Sequence, residues 1–251
     1  MGLGDRVFQW SSPCFDVSFW DYMLALLSGA VLILWNGEWS SAVAKSAGTY
    51  VFVTPSALAV LRPEDLSSFR ILAVGGESVP LSLGRRWGAP TIPGGLWNCY
   101  GPTEATVETS VSCIHSETKQ ITIGPPLPNY SCYIFDGAMR LQPIGVAGEL
   151  HIGGVGLARE YLNRPDLTLE RFVPNPHDDG TGKRSRLYKT GDLAFYLPNG
   201  ELVHLGRIDW QVKLRGQRVE LTEIESAALD MPSVDEAAAF VHVRGDSRAD
   251  G

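Results

Sequence analysis

Three short apolar runs in the first third of the chain each end in a turn and are separated by segments with helical periodicity. The runs are AVLIL (30–34), TYVFV (49–53) and FRILAV (69–74), and each has the length of a buried strand. Strands that alternate with helices predict an α/β fold, with a parallel sheet covered on both faces. In such sheets, ligands collect at the loops beyond the carboxyl ends of the strands.

The segment from Asp16 to Ser28 predicts the first helix. Its apolar residues at helical spacing, which would form the buried face, are Trp20, Met23, Leu24 and Leu27. Ser18 followed by Asp21 predicts a capping box, and Gly29 predicts the end of the helix.

The pattern changes after about residue 120, where short β-like segments alternate with Gly and Pro turns. The Asn-Gly pair in LPNGE (197–201) lies between AFY and LVHL, which predicts a hairpin. This part of the chain is therefore predicted to be β-rich and antiparallel. Beyond residue 208, the strands QVKL and RVEL are joined by the turn RGQ and precede a helix in TEIESAALD.

Composition excludes several classes of protein. The net charge of −7 disfavours a nucleic-acid partner. The four cysteines show no C-x-x-C pattern, so neither a zinc site nor a disulfide framework is predicted. The longest apolar run, residues 23–34, is too short to cross a bilayer, and the first ten residues show no apolar leader. We therefore expect a cytoplasmic protein with no membrane partner.

The segment NCYGPTE (98–104) offers an amide, a hydroxyl and a carboxylate beside an aromatic ring. Tyr100 could stack on a base, Asn98 could hydrogen-bond its edge, and Glu104 could hold a divalent cation. A tight turn in which Thr103 or Glu104 starts a helix is the structural alternative.

The segment YKTGDL (188–193) is predicted to close a strand at Gly191 and to present Asp192. A carboxylate in this position could accept hydrogen bonds from a diol such as ribose, although an ordinary Gly-Asp turn remains an alternative.

Five segments resemble, in order and spacing, the core motifs of adenylation domains of nonribosomal peptide synthetases. They are FDVSFWD, NCYGPTE, GELHIGGVGLAREYLNRPDLTLERF, YKTGDL and LGRIDWQVKLRGQRVELTEIE. The resemblance implies the adenylate-forming (ANL-type) fold. Its large core would be incomplete here, with a parallel sheet and a β-rich part over residues 1–207, and residues 208–251 would hold the hinge and the start of a small α+β lid.

The resemblance also implies a reaction. Such domains activate an amino acid with ATP and Mg²⁺ to aminoacyl-AMP, then pass it to the phosphopantetheine thiol of a carrier domain, next to condensation domains. Tyr100 would stack on adenine, with Asn98 at its edge. The remaining nucleotide and catalytic residues would be Gly76, Thr103 by the α-phosphate, Glu104 on Mg²⁺, Asp192 on the ribose, His204 where the family often has Tyr, and Arg207. Asp209 would be the hinge.

The same resemblance places an amino-acid pocket. Its residues would be Asp16, Val17, Trp20, Phe52, Ala73, Gly75, Cys99, Val107 and Glu108. Asp16 would pair with the α-ammonium of the substrate, a role compatible with its position as a helix N-cap. Because an unpaired buried carboxylate is costly, Glu108 predicts a substrate side chain that carries a donor or a positive charge.

Two family elements were not found in the sequence. A Ser/Thr/Gly-rich phosphate loop ending in Lys-Gly is not present in residues 1–15, and no catalytic Lys follows RGQRVE before Gly251. We therefore expect a domain truncated at both ends whose isolated chain adenylates slowly or not at all. The alternatives are a non-catalytic remnant that keeps at most nucleotide binding, and the adenylation part of an amino-acid reductase.

Overall fold

The computed structural model describes residues 1–88, 92–178, 185–209, 211–214, 217–231, 233–234 and 236–241. Its helices are α1 Val17–Ser28, α2 Trp39–Lys45, α3 Pro55–Val60, α4 Leu81–Trp87, α5 Pro165–Arg171 and α6 Leu221–Leu229. Single turns of 3-10 helix lie at Pro63–Leu66 and Thr103–Ala105.

The first sheet has the strand order β2-β1-β3-β4-β5-β6. Its strands are β1 Arg6–Phe8, β2 Val31–Ile33, β3 Tyr50–Val53, β4 Ile71–Gly75, β5 Leu96–Tyr100 and β6 Ser110–Ile114. The strands from β1 to β5 pair in parallel and β6 is antiparallel to β5, so the predicted α/β sheet is confirmed. Parallel pairing brings the carboxyl ends of β3, β4 and β5 to one edge, beside the site described below.

Two details of this sheet differ from the sequence analysis. Strand β1 was not predicted, because only three residues of its segment are extended. The run 30–34 does form β2, but not as a buried strand: Val31 is 49% exposed and Leu34 68%. The reason is that β2 is the edge strand of the sheet and has β1 as its single neighbour in the described structure.

Helix α1 forms where predicted and ends at Gly29, which adopts the left-handed conformation with φ of 70°. The predicted buried face is confirmed in part: Trp20 and Leu24 pack against the core, but Leu27 is 84% exposed. The buried residues of the helix are Val17, Ser18, Asp21 and Ala25. The Ser18–Asp21 capping box is wrong, since the helix begins at Val17 and both side chains are buried on its inner side.

The second sheet is antiparallel, as predicted, and has the order β11-β10-β8-β7, with β9 paired to β10. Its strands are β7 Tyr130–Phe135, β8 Gly148–Gly154, β9 Phe172–Pro174, β10 Arg186–Tyr196 and β11 Leu202–Arg207. The hairpin at 197–201 joins β10 to β11 and is confirmed. Strand β10 does not close at Gly191, however. It runs on to Tyr196 through an irregularity in its pairing with β8 between Lys189 and Leu193.

The last described elements are the antiparallel pair β12 Gln211–Leu214 and β13 Gln217–Glu220, followed by α6. Both strands and the helix were predicted. Residues 215–216 of the predicted turn lie outside the described residues, and the domain boundary at 207 stays a prediction. No helix in the described ranges is long and apolar enough to cross a membrane.

Candidate active site between the two sheets

Two adjoining cavities lie between the carboxyl ends of the parallel strands and strands β10 and β11. The larger has a volume of about 540 Å³ and the smaller about 80 Å³. The residues that line both are Gly76, Cys99, Tyr100, Gly101, Asp192 and Arg207. The larger cavity is within the size range of small-molecule sites, whereas the smaller one has room for only part of such a ligand.

The loop after β5 shapes both cavities. A Cβ on Gly101 would lie 2.3 Å from the Val107 carbonyl oxygen and 2.7 Å from the Glu108 Cα, so only glycine allows the loop to close. Thr106 and Val107 follow with φ of 58° and 67°, a left-handed conformation that β-branched residues rarely adopt. Such strained backbone is characteristic of functional sites, and here it presents Glu108 to the smaller cavity.

Asp192 is the centre of the larger cavity's polar network. Its carboxylate accepts a hydrogen bond from the Tyr100 hydroxyl at 2.5 Å. The other oxygen, Oδ1, lies 3.1 Å from Arg207 Nη1 and 3.2 Å from His204 Nε2. The rings of Tyr100 and His204 have centroids 5.9 Å apart. One carboxylate therefore holds an aromatic ring, an imidazole and a guanidinium in fixed relation.

This network sets the charge of the site. Burial alone would raise the pKa of Asp192, but the hydrogen bonds from His204 and Tyr100 and the charge of Arg207 hold it below its ordinary value. Burial and the adjacent Asp192 raise the pKa of the Tyr100 hydroxyl well above its usual value. At neutral pH, Asp192 is thus a carboxylate and Tyr100 a neutral donor.

Arg207 joins the network to the start of the last segment. Its Nε and Nη2 donate to both carboxylate oxygens of Asp209, at 2.6 and 2.7 Å. A Cβ on Gly191 would lie 2.7 Å from Arg207 Nη2 and 2.8 Å from Asp209 Oδ2, so the ion pair packs against the glycine of YKTGDL. This explains why Gly191 precedes Asp192, although β10 continues past both.

Thr103 and Glu104 lie on the single 3-10 turn after β5, not at the start of an α-helix. The Thr103 hydroxyl donates to Asp16 Oδ2 at 2.6 Å, and the Tyr161 hydroxyl donates to Glu104 Oε1 at 2.7 Å. Asp16 is at the N-cap position of α1 but makes no side-chain cap bond. Its carboxylate is therefore directed to the cavity wall and not to the helix terminus.

Asn98 lies on β5 in the wall of the larger cavity. Its Nδ2 donates to the backbone carbonyl oxygen of Thr122 at 2.7 Å. An amide nitrogen carries two hydrogens, so the second is the one that can reach a ligand in the cavity. Asn98 thus has a structural hydrogen bond that the sequence did not indicate.

Most of the predicted pocket residues meet at the smaller cavity. Its wall includes Asp16, Val17, Phe52, Cys99, Val107 and Glu108. The other three lie behind that wall: Ala73 and Trp20 pack in the same apolar cluster, and Gly75 pairs with Cys99 across β4 and β5. Gly76 lines both cavities and His204 the larger one.

Sequence reasoning missed two residues behind these cavities. Asp21 is fully buried on the inner face of α1, one turn from Val17. Tyr161 reaches Glu104 from 57 positions away along the chain. A carboxylate four residues after Val17 on one helix face was the available signal for Asp21, but no local pattern indicates the contact of Tyr161.

A family model described as AMP-binding enzyme matches residues 1–162. Bacitracin synthase 3 of Bacillus licheniformis is 39% identical over 245 residues, which cover 95% of this chain and 4% of that protein.

Two solved structures superpose on nearly the whole chain at 28% identity. The Vibrio cholerae adenylation domain AlmE in complex with glycyl-adenosine-5'-phosphate has a TM-score of 0.84 and covers 95% of this chain and 47% of its own. An NRPS protein containing adenylation and PCP domains, bound to a vinylsulfonamide inhibitor, has a TM-score of 0.83 and covers 95% and 43%. The chain spans less than half the length of each of these relatives.

Proposed function

Because the chain belongs to the AMP-binding enzyme family, we propose that it forms the amino-acid-binding and nucleotide-binding part of an adenylation domain in nonribosomal peptide synthesis. The reaction joins the carboxylate of an amino acid to the α-phosphate of ATP and releases pyrophosphate. Its product is aminoacyl-AMP.

The observation that supports this function best is the junction of the two cavities. Asp16 and Thr103 are hydrogen-bonded at the smaller one, and Tyr100 and Asp192 at the larger one. Tyr100, Gly101 and Asp192 line both. An amino acid in the smaller cavity and a nucleotide in the larger one would therefore meet at this loop, with the reacting groups held close together.

In the larger cavity, Tyr100 would stack on the adenine. Asn98 would contact the edge of the adenine, and His204 would lie near it. Asp192 is held ionised and would accept hydrogen bonds from the ribose hydroxyls. Arg207 would stabilise negative charge on the phosphate while Asp192 and Asp209 fix its guanidinium.

In the smaller cavity, Asp16 would bind the α-ammonium of the amino acid by a charge-assisted hydrogen bond. Thr103 donates to Asp16 and is adjacent to Glu104, so its hydroxyl would orient Asp16 or contact the α-phosphate.

The residues present fit a magnesium ion. Glu104 offers a buried carboxylate and Thr103 a hydroxyl, and these are the hard oxygen donors that Mg²⁺ prefers in combination with substrate phosphates. We assign the ion to Glu104, which Tyr161 holds in place through Oε1. When bound, Mg²⁺ supplies charge neutralisation to the phosphates.

The partners in this proposal are a carrier domain, whose phosphopantetheine thiol accepts the aminoacyl group, and a condensation domain beyond it. A structure that contains adenylation and PCP domains supports the first. The residues 208–251 would contribute the start of the lid, with Asp209 as the hinge.

The test is the affinity of this chain for an aminoacyl-sulfamoyl-adenosine, a stable analogue of aminoacyl-AMP, measured by calorimetry. Replacing Tyr100 by Leu removes the stacking ring and should weaken binding by about tenfold or more. Tyr100→Phe keeps the ring and is the matched control, with a smaller loss. Equal losses in both variants would contradict stacking, and no binding by any aminoacyl analogue would refute the proposed function.

A further inference from the structure

Glu108 is a buried acid in the wall of the smaller cavity. Its side chain lies with Asp16 around the same space and the residue is 8% exposed. The Cys99 thiol lies beside the Glu108 carboxyl, but a thiol is a weak donor, and this one is directed to the Trp97 carbonyl oxygen at 3.9 Å. Within the described part of the chain, Glu108 Oε1 has no hydrogen-bond partner. A polar atom of this kind is costly unless a ligand completes it.

A second carboxyl group lies behind the first. Asp21 is fully buried on α1, and neither of its oxygens has a hydrogen-bond partner among the described residues. Asp21 and Glu108 are close enough for the charge of one to act on the other. Two buried carboxyl groups without a cation between them cannot both be ionised at low cost.

The cavity wall itself offers little compensation. Of the described residues that line it, Arg207 is the one with a positive charge, and its guanidinium is bonded to Asp192 and Asp209. The described wall therefore has no free cation to pair with the ionised Glu108, so the positive charge has to come from the ligand.

We propose that the amino acid bound here has a cationic side chain, an ammonium or a guanidinium, that pairs with Glu108 while its α-ammonium pairs with Asp16. This inference rests on the proposed function and adds the substrate class to it. A neutral donor such as a hydroxyl would complete Oε1 but would leave the buried charge uncompensated, and an aliphatic side chain would do neither.

The proposal carries a pH dependence. Burial, with a contribution from the charge of Asp16, raises the pKa of Glu108 to about 7, and burial with the charge of Glu108 raises that of Asp21 to about 8. The titratable groups around Glu108 are the carboxyls of Asp16 and Asp21, the Cys99 thiol and the Tyr50 hydroxyl. A cationic side chain needs the ionised form of Glu108, so its binding should strengthen between pH 6 and pH 8 and release protons.

The experiment compares four aminoacyl-sulfamoyl-adenosines on this chain: those of lysine, ornithine and arginine, and that of norleucine, which matches lysine without its charge. We expect the best cationic analogue to bind at least about 30-fold more tightly than the norleucyl analogue at pH 8. Glu108→Gln, which keeps the shape of the side chain, should remove most of that difference. Glu117→Gln, an exposed control, should leave it unchanged.

Each outcome decides between the two proposals. If the norleucyl analogue binds as tightly as the cationic ones, or if the preference survives in Glu108→Gln, the cationic substrate is refuted and the proposed function stands. If none of the four binds while another aminoacyl analogue does, the cationic substrate alone is refuted; if no aminoacyl analogue binds, both are refuted. Should Glu108→Gln fail to fold, the wild-type chain still provides a test: equal pH dependence for lysyl and norleucyl analogues would overturn the pairing with Glu108.

Discussion

The Asp192 carboxylate in the larger cavity is contacted by Tyr100, His204 and Arg207, whereas Oε1 of Glu108 in the smaller cavity has no partner among the described residues. Both acids are more than nine-tenths buried. The pKa of Asp192 is lowered and that of Glu108 is raised to about 7, although burial acts on both in the same direction. Hydrogen bonds and neighbouring charge therefore decide the sign.

This difference separates a preorganised site from one that its ligand completes. The larger cavity already holds its charges in place, as suits the nucleotide that we propose it binds. In the smaller cavity, the buried Glu108 oxygen without a hydrogen-bond partner carries a free-energy cost. A ligand that pairs with this oxygen removes the cost, and a ligand that cannot pair with it does not. Unsatisfied polar groups of this kind discriminate strongly between ligands.

The largest loss of stability should come from breaking the larger cavity's network. Arg207→Met removes the guanidinium from buried Asp192 and leaves it with His204 and Tyr100, so the free energy of unfolding at pH 7 should fall by about 3 kcal/mol, the lower end for a broken buried ion pair. Chemical denaturation measures it. Arg140→Met is the control, since it removes an ion pair with Asp136 on the surface and should change stability far less. A similar loss in both variants would show that Asp192 is not held by Arg207.

Removing a buried carboxyl group behind the smaller cavity should have the opposite effect and stabilise the fold. Asp21 ionises near 3.8 in the unfolded chain and at about 8 in the folded one, so the folded state holds more protons between these values. Its free energy of unfolding therefore falls as pH rises from about 4 to about 8. In Asp21→Asn this part of the fall should be absent, which makes the variant about 3 kcal/mol more stable than wild type at about pH 6 and more so at higher pH.

Denaturation midpoints of both proteins across pH 4–9 test this prediction. The two curves should meet near pH 4 and separate above it. Curves that stay parallel would mean that Asp21 does not hold its proton in the folded chain.

The fold was predictable where local patterns carry it. Alternating apolar runs indicated the parallel sheet, and Asn-Gly indicated the β10–β11 hairpin. Burial was harder to predict, because the apolar content of residues 30–34 does not reveal that β2 lies at an edge. Helix α1 shows the same limit: of the two leucines assigned to its buried face, Leu24 packs on the core and Leu27 does not, and the inner face includes Asp21.

The candidate site was predictable as a set of residues but not as a set of contacts. The motifs containing Tyr100 and Asp192 are 92 positions apart, and the hydrogen bond between them exists only through tertiary structure. The same holds for the contact of Tyr161 with Glu104. Contacts between residues this far apart in the chain give no local sequence pattern. The charge state of each carboxylate, which depends on these contacts, could therefore not be derived from the sequence.

A smaller effect is expected where the two cavities meet. Thr103→Val removes the hydrogen bond to Asp16, which is open to solvent, so stability should fall by about 1 kcal/mol or less. Binding of an aminoacyl-sulfamoyl-adenosine should weaken more than binding of AMP, because Asp16 belongs to the amino-acid side of the junction. Calorimetry with both ligands measures the difference. Equal weakening would assign Thr103 to the nucleotide side instead.

The smallest effect concerns the outer side of the helix that walls the smaller cavity. Leu27 is 84% exposed, so Leu27→Ser should change the free energy of unfolding by no more than about 0.5 kcal/mol. Ala25 is fully buried on the opposite side, and Ala25→Ser places a hydroxyl against the sheet, at a cost of about 1–3 kcal/mol. Chemical denaturation of the two variants compares the two faces of the helix, since serine is introduced in both. A larger loss of stability for Leu27→Ser than for Ala25→Ser would mean that the opposite face of the helix packs on the sheet. Asp21 would then point away from Glu108, and the electrostatic contrast between the cavities would not hold.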